Sequence, residues 1–528
     1  MGLQIFIFNF ILSFSLVSYS QTKESLQEYF QENKLLTSEL GLFYQSHDFE
    51  PFFIQNGQWT PTGESLESIY KQIEENGLIS ENYGLKQWKT FKENPVYLNQ
   101  ESELLLGKSI LSALIHHITG RIPPKSVAKD IEFERNKFSD YQALTLNLLN
   151  HPKDLFSELG PKSEPFLQLK EMLIYLKNLE ASSNWPLITP FPETLKLNSE
   201  NEVVLQIKHK LSLFGYHFSY FNKRFDPDLE FAVKDIYANK LLNSEKVIKP
   251  DSYFWQYINV PLSTRIVEIQ LQMEKLRWLP RELENRYAFV NIANQTIKVF
   301  DNNLQDHDPI LQFKTINGQV TRKTPSMKDK IVSVTLNPTW TVPLSVFFKD
   351  KLRILQKDLS YLNRGNFKVI DVNSDEEIDP YSIDWQEVTR ENVYFQLVQM
   401  PSYSNALGVV KFSMTNRFSI YLHDTGDRHL FAKNYRFLSS GCVRLEKPID
   451  FAEYLLRATS WTRDKIMNFV AKPGESNKPT LSMVLKSPLP VYLIQLTVEK
   501  KDHVIKFYDD YYRQNLALFK SLKSQGFF

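Results

Sequence analysis

The sequence predicts an α+β protein of several domains, helical in its first half and β-rich in its second. Three observations carry this. The chain has 528 residues, beyond the size at which a single hydrophobic core keeps growing. From about residue 24 to 180 apolar side chains recur at helical spacing, and from about Arg286 they alternate with the period of a strand. With 25 Tyr and 38 Phe there is enough bulk to fill separate cores.

At the start, Leu3 to Val17 form an apolar run interrupted by Gln4, Asn9, Ser13 and Ser15. Ser18-Tyr19-Ser20 then offers the small residues a signal peptidase inspects. Residues 1–20 read as a signal peptide cleaved before Gln21. No Lys or Arg precedes the run, and a retained N-terminal anchor stays open, although a spanning helix needs about 20 residues. No later segment is long and apolar enough to span a membrane, and no cysteine follows the run to take a lipid. The expected location is the periplasm or cell envelope. With 62 Lys+Arg against 61 Asp+Glu the net charge is +1, which leaves no global field to recruit nucleic acid or an anionic membrane.

Residues 21–185 are expected to form a helical scaffold domain. Leu66, Ile69, Tyr70 and Ile73 fall at i, i+3, i+4 and i+7, with Pro61 just inside the start and Gly77 just past the end. Leu104 to Ile118 repeats the pattern and stops at Gly120. The pair His116-His117 could suggest a metal, but neighbours on a helix point about 100° apart and cannot both bind one ion.

Residues 186–262 form a second, smaller helical unit. Val204, Ile207, Leu211 and Phe214 make one stripe closed by Gly215. Asp226-Pro227 supplies an N-cap and first-turn proline for a helix carrying Leu229, Val233 and Ile236. This text resembles the small three-helix peptidoglycan-binding module, with Ile236-Tyr237 where that module has Phe-Gln and without its glycine-rich turn before Phe225. A helical spacer that binds nothing is the alternative.

Residues 263–528 are expected to be the β-rich catalytic domain. In Phe418-Ser419-Ile420-Tyr421-Leu422-His423 the apolar Phe418, Ile420 and Leu422 face the core, which throws Tyr421 and His423 together on the other face. Nineteen residues on lies Cys442, the sole cysteine of the chain. It cannot be half of an internal disulfide, so an exported protein keeps it for another reason. A free thiol is only a few per cent ionised at pH 7, and a positioned imidazole supplies the missing base. Gly441 allows a close turn, and the N–H groups near Gly441 and Cys442 are placed to hold an oxyanion. Arg444 shares strand parity with Cys442 and either holds a substrate carboxylate or forms a structural ion pair. A buried inert thiol is the plain alternative for Cys442. Zinc held by His423, His429 and Cys442 fits no standard spacing, so no metal or cofactor is expected.

The residues in this order resemble a known family. They are Leu276-Arg277-Trp278-Leu279-Pro280, Thr324-Pro325-Ser326-Met327, Asn337-Pro338-Thr339-Trp340, Ile383-Asp384-Trp385, Asn405-Ala406-Leu407-Gly408, Tyr421-Leu422-His423-Asp424-Thr425 and Ser439-Ser440-Gly441-Cys442-Val443-Arg444. Together they resemble the L,D-transpeptidases with a YkuD-type catalytic domain, and within them the large YcbB-like periplasmic enzymes. Ser440 stands where many relatives carry His, which leaves His423 as the only histidine expected to act as base. The resemblance implies a lid insertion, placed at 345–384 with a helical run at Phe348, Leu352 and Leu355. It implies cleavage of the bond between the third stem residue and D-Ala, with Cys442 as nucleophile, His423 as base, and Gly441, Ser440, Tyr421 and Arg444 around the oxyanion and substrate. The implied partners are peptidoglycan stem peptides, a donor tetrapeptide and an acceptor amine, with penicillin-binding proteins or a wall-anchored lipoprotein as further candidates. An L,D-carboxypeptidase of the same fold, and a non-catalytic wall-binding scaffold, are the competing readings.

Overall fold

The computed structural model describes residues 22–182, 185–242, 245–304 and 308–528. The expected signal peptide lies outside them. Among the described residues no helix is long and apolar enough to cross a membrane. The chain divides into two compact units. One takes residues 22–236, Glu245–Leu283 and Thr497–Phe528, and the other Glu284–Leu496 with a short piece from Tyr237.

The first unit is helical. The predicted stripe forms the helix Leu66–Glu75, with Leu66, Ile69, Tyr70 and Ile73 all buried. Pro61 opens a separate short helix, Pro61–Glu64, and Gly77 follows at φ 77°. The helix Gln100–Thr119 ends at Gly120. His116 and His117 part as expected, His116 to the Tyr83 hydroxyl at 3.0 Å and His117 to the Phe156 carbonyl at 2.9 Å. In the smaller helical part, Asp226 accepts from the Leu229 N–H at 3.1 Å and caps the helix Pro227–Asn239.

The division into units departs from the expected boundary at 263. Arg277 and Trp278 are buried in the helical unit, where Glu274 is ion-paired to both Arg121 and Arg277. Asn136 Nδ2 donates to the carbonyls of Arg277 and Leu279, each at 2.7 Å. The hairpin of Val498–Lys501 and Val504–Phe507 also joins this unit. The Ile505 N–H donates to the Phe214 carbonyl at 2.8 Å, and a Cβ on Gly215 would overlap the His503 carbonyl. Contacts between segments hundreds of residues apart, rather than local pattern, draw this boundary.

The second unit is built on a sheet. Its strands are β1 Arg286–Asn291, β2 Thr296–Asp301, β3 Leu311–Gly318, β4 Met327–Leu336, β5 Trp340–Thr341, β6 Phe367–Asp371, β7 Phe395–Gln399, β8 Val410–Met414, β9 Leu422–His423, β10 Phe437–Ser439, β11 Val443–Leu445 and β12 Leu481–Ile494. Nine form one mixed sheet in the order β10-β3-β11-β9-β8-β4-β12-β1-β2, and β3 also pairs with β2. The sheet therefore closes on itself, which removes most of its exposed edge. Closure explains why β1, read as alternating, is buried on both faces from Tyr287 to Asn291.

Strands β5, β7 and β6 form a separate three-stranded sheet in that order. With Phe347, Leu352, Leu355 and Trp385 they enclose a core of their own. This subdomain runs over 340–399, wider than the expected 345–384, because its two stems pair: Trp340 stands opposite Gln399. A π-turn at Phe347–Lys351 adds a residue to the helical repeat. It brings Phe347 rather than Phe348 into the core with Leu352 and Leu355.

The strand expected at 418–423 is shorter. Asn416 accepts from the Phe418 and Ile420 N–H groups at 3.1 and 3.0 Å, and Ser419 sits at φ 55°. That side-chain turn competes with the ladder, so Phe418 is 37% exposed and only Leu422–His423 is strand.

Candidate active site

Two pairings create the site. Strand β9 runs parallel to β11 with Leu422 opposite Val443 and His423 opposite Arg444. The Val443 N–H donates to the Tyr421 carbonyl at 3.1 Å and extends the ladder by one residue. Leu422 and Val443 are fully buried. Side chains alternate across a strand, so Tyr421, His423, Cys442 and Arg444 share the opposite face. On the other side β8 is antiparallel to β9, with Lys411 opposite His423.

The loop that carries Cys442 is braced from below. The Thr324 hydroxyl donates to the Gly441 carbonyl at 2.7 Å and accepts from the Gly318 N–H at 2.9 Å. Ser439 Oγ donates to the Cys442 carbonyl at 2.6 Å and accepts from the Gly441 N–H at 3.1 Å. Gly441 takes φ 123°, a conformation that favours glycine. Its N–H is thus engaged within the loop, whereas the Cys442 N–H makes no hydrogen bond among the described residues. Of the two expected oxyanion donors, the one at Cys442 is free in this state.

Cys442 is half-buried, and its thiol lies 3.7 Å from the Ser419 carbonyl. Burial pushes the thiol up to about 11, opposed by Tyr421, Lys411 and Arg444. His423 is 4% exposed. Burial, reinforced by the positive charge of Arg444 and Lys411, holds its imidazole down to about 3, so it is neutral at pH 7. His423 Nδ1 is buried without a partner, and no direct hydrogen bond joins the imidazole to the thiol. The Tyr421 and His423 rings lie 5.5 Å apart. The Tyr421 hydroxyl interacts with Cys442 and Trp340, and burial raises its pKa.

Two sequence motifs serve as supports. Asp424 accepts from the Val409 N–H at 2.9 Å and pairs with Arg428. Gly408, at φ 59°, lies so close that a Cβ would overlap the Asp424 carboxyl. The Gly426 N–H donates to the Asn405 carbonyl at 3.1 Å, so Asn405-Ala406-Leu407-Gly408 clamps the turn that follows His423. Arg444 Nη1 meets Thr425 Oγ1 at 3.1 Å and Asp427 Oδ2 at 3.3 Å. Ser440 is exposed, and its hydroxyl accepts from Arg322 Nη1 at 2.8 Å.

Sequence reading passed over Lys411 and Arg322. Lys411 had a legible signal, a lone charge in the apolar strand Val409-Val410-Lys411-Phe412. Arg322 had none, because its partners lie on distant segments. Among the described residues no group of three or more His, Cys, Asp or Glu could hold a metal; His429 is on a short helical turn apart from the face.

A closed mixed sheet carries a thiol, an imidazole and two cations on one face, beside a subdomain with its own core. Residues 285–467 match the family model described as the L,D-transpeptidase catalytic domain, YkuD. The matched residues lie within the β-rich unit. Residues 38–173 match a model described as a scaffold domain. A relative from Haemophilus influenzae named "Putative L,D-transpeptidase" is 34% identical over 230 residues, covering 44% of this chain and 44% of that protein. The matched stretch thus spans less than half of the relative's length. Among solved structures, an L,D-transpeptidase from Stackebrandtia nassauensis has TM-score 0.22 at 11% identity, covering 58% of this chain and 97% of that one. An L,D-transpeptidase from Xylanimonas cellulosilytica (residues 123–326) has TM-score 0.18 at 11% identity, covering 58% and 99%.

Proposed function

We propose that the protein is a peptidoglycan L,D-transpeptidase that works through a thioester on Cys442. The observation that carries this reading is the register of β9 against β11, which gathers Cys442, Tyr421, His423 and Arg444 on one face of the YkuD domain. Cys442 Sγ attacks the carbonyl of the third stem residue while its proton passes to the neutral His423. The carbonyl oxygen takes negative charge beside the free Cys442 N–H. Collapse forms the C–S bond, breaks the C–N bond, and returns the proton from His423 to the departing D-Ala amine. An amine from a second stem then reverses these steps and leaves a 3–3 crosslink.

The subdomain at 340–399 favours amine over water. A thioester that waits for a dilute acceptor must be kept from bulk solvent, and Trp340 of this subdomain interacts with Tyr421 next to the thiol. The same reading makes residues 1–20 an export signal, puts the enzyme in the periplasm or cell envelope, and gives residues 186–262 the task of holding wall polymer near the site. The test is incubation with tetrapeptide muropeptides and analysis by liquid chromatography and mass spectrometry. Dimers joined between third residues are expected. Tripeptide monomers as the sole product mean a carboxypeptidase, and no product means a wall-binding scaffold.

A further inference from the structure

Lys411 is the cation of this face that has no acid to neutralise it. It stands in one cross-sheet row, Ser482, Thr335, Lys411, His423, Arg444, taken from five adjacent strands. Its Nζ lies 4.3 Å from the centroid of the Tyr421 ring, and Tyr421 is the residue whose hydroxyl interacts with the Cys442 thiol. The side chain is half-buried, and among the described residues its ammonium makes no ion pair and no hydrogen bond. The neighbours on the β4 and β12 side, Thr335 and Ser482, are uncharged and bonded to each other at 3.0 Å. On β9 it faces Tyr421 and the neutral His423. On β11 the other cation, Arg444, already has Asp427. Beyond Cys442, Arg322 is neutralised by Asp350.

A half-buried ammonium without a counter-ion is costly unless an anion forms beside it during function. Two groups of this face could become that anion, the Cys442 thiol and the Tyr421 hydroxyl, and burial raises the hydroxyl further, which leaves the Cys442 sulfur as the more acidic. The electrostatic coupling runs both ways: the thiol raises the pKa of Lys411, against burial, and Lys411 lowers that of Cys442.

We propose that Lys411 is a positioning residue whose fixed charge stabilises the Cys442 thiolate, so that proton transfer to a neutral, buried His423 becomes favourable. Lys411 keeps its own protons throughout. The proton leaves Sγ for His423, and the negative charge stays on sulfur, opposite the Lys411 ammonium, until the C–S bond forms. His423 cannot supply this charge at rest, since two cations flank it. The inference rests on Cys442 being the nucleophile, but the experiment below measures the thiol itself and stands apart from turnover.

The experiment is alkylation of the full chain with iodoacetamide, an uncharged probe, followed between pH 6 and 10. Intact mass confirms a single adduct, and Cys442→Ala serves as blank. Lys411→Met should react about tenfold more slowly at each pH, because loss of one nearby cation moves a thiol by about one pH unit and the thiolate is the reacting form. Lys411→Arg should restore the rate to within about twofold, since charge and not shape is required. An unchanged profile in a folded Lys411→Met overturns the proposal, and so does a Lys411→Arg variant as slow as Lys411→Met. If near-ultraviolet circular dichroism shows Lys411→Met unfolded, Lys411→Gln replaces it under the same criteria. A wild type without transfer activity, together with the expected alkylation shift in the Lys411 variants, would count against the transpeptidase reading and leave the role of Lys411 standing.

Discussion

Arg322 and Asp350 form a bidentate ion pair, with contacts of 2.6 and 2.7 Å, that ties the subdomain over 340–399 to the loop of Cys442. The same guanidinium donates to Ser440 at 2.8 Å, two residues before Cys442. Asp350 lies in the π-turn, where the helix widens. One side chain thus touches both this subdomain and the loop that carries the thiol.

Asp350→Asn should therefore loosen the subdomain's hold on that loop without unfolding the protein. The pair is partly exposed, at 22% and 37% of the side-chain surfaces, and solvent screening limits its worth to about 1 kcal/mol or less. Thermal denaturation should shift little. Hydrogen exchange measured by mass spectrometry should rise over 344–355 and stay level in the closed sheet. Equal exchange in wild type and variant would mean that the pair does not hold the subdomain.

Cys442→Ala should abolish covalent labelling by a carbapenem, whose strained carbonyl is an activated acyl donor. Intact mass should show one adduct on wild type and none on the variant. His423→Ala should fold yet acylate roughly 10²- to 10⁴-fold more slowly, the usual loss for a general base. Stopped-flow rates equal to wild type would remove His423 from that role.

Much of this site was legible in the sequence because its parts obey local rules. Period-2 alternation put Tyr421 and His423 on one face, and glycine at 441 marked a tight loop. Helix stripes such as Leu66, Ile69, Tyr70 and Ile73 were equally plain. What stayed hidden depends on long-range contact. The docking of Ile505 on Phe214 moves the C-terminal hairpin into the helical unit, and no pattern in residues 497–528 announces it. Phe418 was read as core because alternation ignores Asn416, whose side chain ends the strand. The capture of the Gly441 N–H by Ser439 could not be read from spacing either.

Gly408→Ala should damage the site through its support rather than its chemistry. At φ 59° a Cβ is strained, and here it would also overlap the Asp424 carboxyl. Backbone strain of this kind costs about 1–3 kcal/mol, and displacing Asp424 would also loosen its bond from the Val409 N–H. A lower melting temperature and slower Cys442 acylation are expected together. A variant with wild-type melting and rate would show that Asp424 can move without cost.

His423 makes the stability of the β-domain depend on pH. Folded, the imidazole is held down to about 3; unfolded, it titrates near its ordinary value of about 6.5. Between those values the unfolded chain binds a proton that the folded chain refuses, so stability falls as pH drops through that window and is fully retained above about 6.5. Burial lowers His116 to about 4 and His117 well below its ordinary value, so the helical unit should lose stability over the same range. His423→Gln removes one of these groups from the β-domain. Urea unfolding at pH 7.5 and pH 5, followed by hydrogen exchange in each unit, should show a smaller acid loss in the β-domain of the variant and an unchanged loss in the helical unit. If the β-domain of His423→Gln loses as much stability as wild type between pH 7.5 and 5, His423 is not held neutral by its surroundings, and the account of Lys411 and Arg444 flanking an uncharged imidazole fails with it.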